Sequence, residues 1–197
     1  MQEHDIDIEA LKKDENFIAD MKKYEEEMYS EKSIAKGYQL LGTKLAIEAS
    51  EDEINEIFTF IVGQAFDVLA ENLTIHKGFS MNDPEELSTA RAIYEHGIQR
   101  YSENDIKGAK EIFLVLHHTI EDDELKDAMM IHACAVMSGN SFDKFIEDLA
   151  DTDNIDESDP TAFFIKEFKQ PTDILLTMFS KYVALGKADL KVLEAGK

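Results

Sequence analysis

The stretch Ile93–Leu116, IYEHGIQRYSENDIKGAKEIFLVL, decides the fold. It reads as two short helices folded back on each other. Ile93, Tyr94, Gly97, Ile98 and Tyr101 recur at helical spacing and make one broad apolar face. Ser102-Glu103-Asn104-Asp105 interrupts that pattern. Asn104 suits the left-handed conformation that closes a helix, and Asp105 can cap the next one. Ile106, Ala109, Ile112, Phe113 and Leu116 then form a second apolar face. Gly97 and Ala109 are small, as they must be where two helices approach closely.

Working outward, the chain upstream is free of proline as far as Pro84, which favours helix. Residues 6–29 place Ile6, Ile8, Leu11, Phe17, Ile18, Met21, Tyr24 and Met28 at helical spacing on a charged body. Residues 31–48 predict a second helix, with Gly37 and Gly42 marking close packing. Ser50 and Glu53 form a capping box that starts a third helix, running to about Asn72. A connector over 74–84 ends with Asp83 as the cap of a helix whose first residue is Pro84.

Downstream of Leu116, the polar link HHTIEDDEL leads to a second hairpin. Its first helix carries Leu125, Met129, Met130, Ala133, Cys134 and Met137, its turn is Ser138–Ser141, and Phe142, Phe145, Ile146 and Leu149 line its second helix. An acidic loop, DTDNIDESDP, precedes a third and poorer hairpin. Ala162, Phe163, Ile165 and Phe168 fall on one side of Gln170-Pro171, and Ile174 to Leu185 on the other. No segment alternates like a strand. The prediction is an all-α chain in three parts: an N-terminal helical segment over 1–80, helical hairpins over 83–188, and a polar tail over 189–197.

Composition narrows the function. The chain has 197 residues and a formal charge of -22, from 42 acids against 20 Lys and Arg. That balance argues against nucleic acid and against anionic membrane surfaces, both of which need basic residues. It suits a protein that keeps apolar surface in solution. No uninterrupted apolar run is long enough to insert into a membrane, the acidic N-terminus does not read as a secretory signal, and one cysteine, Cys134, fits a reducing cytoplasm. Catalytic and cofactor chemistry is declined. His117-His118 lacks a metal-binding spacing, Asp151 and Asp153 start a calcium-loop pattern that Ile155, Asp156 and Ala162 break, and Cys134 lies on an apolar stripe. No cofactor, no metal and no enzymatic activity is expected.

The two central hairpins repeat. Gly97 and Ala133, Asn104 and Asn140, Ile106 and Phe142, and Phe113 and Leu149 each stand 36 residues apart. The period of the tetratricopeptide repeat is roughly 34. From Asp83 to Leu116 the chain resembles the first repeat of the class II, or translocator, chaperones of bacterial type III secretion. The matching residues are Ile93, Tyr94, Gly97, Tyr101, Ile106, Ala109, Phe113 and Leu116. The match weakens to about residue 185 and is absent over residues 1–80.

That resemblance implies a concave surface lined by the first helix of each repeat, holding an apolar segment of a secreted protein. Tyr94, Ile98 and Tyr101 from one repeat, and Met130, Cys134 and Met137 from the next, would line it. The alternative is that these side chains fill the core between helices. The expected function is a non-enzymatic chaperone in the bacterial cytoplasm; the second expectation is a helical scaffold joining components of a larger assembly. The first eighty residues have three readings: folding over the groove, pairing two subunits into a homodimer, or forming a separate lobe.

Overall fold

The computed structural model describes residues 8–153, 155–156 and 158–195, with side chains as far as Lys191. Ile6, Asn154 and the last two residues of the expected tail lie outside that range. The described chain is all-α: α1 (Ile8–Leu11), α2 (Glu15–Glu31), α3 (Ile34–Ala46), α4 (Glu51–Ile75), α5 (Pro84–Ser102), α6 (Ile106–Thr119), α7 (Asp123–Met137), α8 (Phe142–Asp148), α9 (Thr172–Met178) and α10 (Ser180–Ala195). Two isolated β-bridges, Phe79 with Ile120 and Ala150 with Phe168, are the only extended pairings among the described residues.

The chain forms two compact units, Met1–Val68 and Leu69–Lys197. The boundary between these units falls within α4, whereas the sequence places its break near residues 80–83. The connector is not a loose linker. Phe79 donates its N–H to Thr119 O at 2.7 Å and accepts from Glu121 N–H at 3.0 Å, so it is stitched to the end of α6.

In the first unit the single expected helix over 6–29 is split. Asp14 breaks it, accepting hydrogen bonds from the N–H groups of Asn16 and Phe17 as the cap of α2. Ser33 caps α3, and Ser50 with Glu53 closes a reciprocal capping box at α4. Met28, Ile34, Leu40, Ile57, Ile61 and Ala65 form its core, and Tyr29 meets Phe60 edge to face with ring centroids 4.8 Å apart.

In the second unit the α5–α6 hairpin forms as its residues dictate. Asp83 caps α5 through the N–H groups of Glu85 and Glu86. Asn104 adopts φ 61°, and Asp105 caps α6 by accepting from Gly108 N–H at 3.0 Å. A Cβ on Gly97 would lie 2.8 Å from Ile112 Cγ2 and 3.0 Å from Phe113, so only hydrogen fits at this crossing.

α7 is the centre of this unit: every residue from Ala128 to Val136 is buried. A helix apolar on all sides needs neighbours on all sides. It has them in α6, α8, α9, α10 and the stretch Ala162–Phe168.

The turn expected over Ser138–Ser141 forms, with Gly139 as its left-handed residue at φ 83°. Two expectations change here. The first helix of the third hairpin does not form. Asp156 accepts from Ser158 N–H and Asp159 from Thr161 N–H, local turns that compete with helix, and Pro160 lies inside the second of them. Finally, the helix expected to end near residue 188 continues as α10 to Ala195. Leu190 is buried and Asp189 pairs with Lys110 at 2.9 Å, which anchors that end.

Candidate functional site

Tyr94, on the apolar face of α5, is 2% exposed, and α7 brings the fully buried His132 against it. The non-helical stretch after Pro160 supplies the third part. Tyr94 Oη accepts from Ile165 N–H at 3.0 Å and lies 3.2 Å from His132 Nε2. His132 Nδ1 lies 2.8 Å from the carbonyl of Ala128. A carbonyl only accepts, so the imidazole proton sits on Nδ1 and Nε2 accepts from the Tyr94 hydroxyl. The chain of bonds is complete: Ile165 N–H to Tyr94, Tyr94 O–H to His132, His132 N–H to Ala128. Burial pushes the His132 pKa down to about 4, partly opposed by the bond to Ala128, and pushes the Tyr94 pKa upward. Both groups are neutral at pH 7.

Rings close the site. Phe164 packs edge to face on Tyr94 at 4.9 Å, and His132 lies 5.0 Å from Phe113, 4.5 Å from Phe145 and 6.2 Å from Phe168. The Arg91 guanidinium lies over the Phe163 ring at 4.8 Å. Lys166 pairs with Asp159 at 2.7 Å and with Glu124, at the start of α7, at 3.4 Å. Beside the stretch is a cavity of about 360 Å³, with Asp151, Ile155, Phe163 and Glu167 among its walls.

The six residues expected to line one concave surface do not form one surface. Tyr94, Tyr101, Met130 and Cys134 are buried, and only Ile98 and Met137 keep partial exposure. Tyr101 turns to the second hairpin, donating to Asn140 O at 2.8 Å and packing on Phe142 and Phe145. Met130 and Met137 face α10, close to Gly186. Residues two apart, such as Met130 and His132, lie on opposite sides of a helix, so α7 presents different faces to its two neighbours. The Cys134 thiol is wholly buried, and desolvation pushes its pKa up to about 12, which leaves it protonated and unreactive.

Arg91 and Phe164 escape the sequence reading, and His132 enters it only as a base for Cys134, set aside with the apolar stripe on which Cys134 lies. The adjacent Phe163-Phe164 pair is the signal, hidden by its helix-compatible spacing. Elsewhere, His117 Nδ1 lies 2.8 Å from Lys126 O, and Asp151 accepts from Asp153 N–H. Among the described residues no group of three His, Cys, Asp or Glu side chains could hold a metal ion.

Comparison with protein-family models, curated proteins and solved structures finds no match. Among the described residues, no helix is long and apolar enough to cross a membrane.

Proposed function

We propose that the chain is a non-enzymatic binding protein of the bacterial cytoplasm, similar to a type III secretion translocator chaperone built on tetratricopeptide-like hairpins. It shields an apolar segment of a secreted protein until export. The observation that carries this reading is the α5–α6 hairpin. Tyr94, Gly97, Tyr101, Ala109 and Phe113, on which the resemblance rests, are all buried and pack as one unbroken helical pair. The net charge of -22 supports it as well, because a like-charged exterior keeps a complex with an apolar client dispersed.

A second reading, a helical scaffold within a larger assembly, draws support from the division into two compact units, which offers two separate docking bodies. Co-purification of the tagged chain from a bacterial lysate, with mass spectrometry, separates the two. A secretion-system substrate in the eluate supports the chaperone. Components of another assembly support the scaffold and refute the chaperone.

A further inference from the structure

We infer that the face formed by Arg91 and Tyr94 of α5 with Glu124 and His132 of α7 is a docking site for a short aromatic–apolar–cation peptide, held in cis by the chain's own Ala162–Phe168. This rests on the binding-protein reading and names the partner's chemistry.

Four observations carry it. The stretch is non-helical within a helical unit, so its backbone N–H groups are not taken by helical bonds; those of Ala162 and Phe164 close short turns on Asp159 O and Thr161 O. One of them, Ile165 N–H, is taken by a side chain, the Tyr94 hydroxyl at 3.0 Å, which is how a protein reads an extended peptide. Side chains of the stretch meet the helices one by one: Phe163 meets Arg91, Phe164 meets Tyr94, and Lys166 meets Glu124 at 3.4 Å besides its closer pair with Asp159 at 2.7 Å. The stretch is bounded by acidic turns at Asp156 and Asp159 and by Gln170-Pro171, it is held at its far end by the pairing of Phe168 with Ala150, and a 360 Å³ cavity lies beside it.

A peptide from a partner that carries a large aromatic residue, an apolar residue and then Lys or Arg meets the same ring, hydroxyl and carboxylate. The acidic surface favours a cationic one. The tethered copy competes at a high effective concentration, so it raises the affinity a partner needs before it can displace it.

Two measurements test this. Native-state hydrogen exchange on the full chain reads the opening directly. Amides of Phe164–Lys166 are expected to exchange at least about ten-fold faster than those of Ala128–Val136, through a local opening. Equal protection, lost only on global unfolding, would make the stretch a fixed core element and overturn the inference.

The second uses a fluorescein-labelled peptide with the sequence of residues 160–169, PTAFFIKEFK. It is expected to bind Phe164→Ala at least about ten-fold more tightly than the unaltered chain, because the weakened tether yields the site. Lys166→Ala, at a partly exposed position, serves if Phe164→Ala does not fold. Equal or absent binding to unaltered and loosened chains overturns the inference. A partner from the pull-down that both chains retain equally overturns it too, while leaving the binding-protein reading intact.

Discussion

Replacing Tyr94 by Phe removes one oxygen and keeps the ring. Two groups then lose their partner: His132 Nε2, fully buried, and Ile165 N–H, in a half-buried stretch. A buried polar group left unsatisfied costs about 1–3 kcal/mol, with the upper end for His132 and the lower for Ile165, whose amide can reach water on a small movement. The sum is about 4 kcal/mol. For a cooperative unit of about 130 residues that is a fall in Tm of about 15 °C.

Tyr101→Phe is the control. Its hydroxyl meets only the backbone carbonyls of Asn140 and Ser141 near a turn, so its loss costs about 1 kcal/mol. Differential scanning calorimetry at pH 7.5 measures both. A Tyr94→Phe protein that melts within about 2 °C of the unaltered chain, or no lower than Tyr101→Phe, would show that the hydroxyl does not bridge His132 and Ile165.

Three further outcomes are expected. His132 is neutral when folded, with its pKa held near 4 against 6.5 for the free side chain. Below pH 6.5 the unfolded chain therefore binds a proton that the folded chain refuses. Stability falls from about pH 6.5 to about pH 4 and, for this group, falls no further below; the loss totals about 3 kcal/mol. Urea unfolding at pH 7.5, 5.5 and 4.5 should show this loss in the unaltered chain and a smaller one in His132→Phe. Gly97→Ala places a methyl group against Ile112 and Phe113, so it should destabilise by about 1–2 kcal/mol despite the better helix propensity of Ala, measured by the urea midpoint. Cys134 should resist a thiol reagent such as dithionitrobenzoate in the native chain and react at once in denaturant; rapid native labelling would place it on the surface.

Local chemistry was legible where a few neighbouring residues decide the outcome. Asp83 with Pro84, Ser50 with Glu53, and Asn104 with Asp105 each met the role their types imply, because a cap or a left-handed closure involves atoms within a few residues. The apolar faces of α5 and α6 were legible for a related reason: helical spacing alone puts Tyr94, Gly97 and Tyr101 on one side. The candidate site was legible only in part. Tyr94 is legible as part of an apolar face, but Met130, expected to line the same surface, lies against Gly186 of α10.

The 36-residue spacing aligns Asn140 with Asn104, but the left-handed residue is Gly139, because the second turn carries an additional residue before its cap, Ser141. The third hairpin failed because Phe163, Ile165 and Phe168 have apolar spacing compatible with a helix, while Asp156, Asp159 and Pro160 upstream commit the backbone to turns.

The sequence by itself determined an all-α chain, the α5–α6 hairpin and the residues that end its helices, because these follow from hydrogen bonds and periodicity over a few positions. Which face stays open was decided only in three dimensions. Tyr94 and Ile165 are 71 positions apart, and Gly186 meets Met130 from the far end of the chain. Periodicity says that a stripe must be covered but not by what. In this chain part of the cover of α7 comes from residues after Pro160, so Tyr94, Met130 and Met137, which read as a binding surface, instead seat the chain's own last fifth.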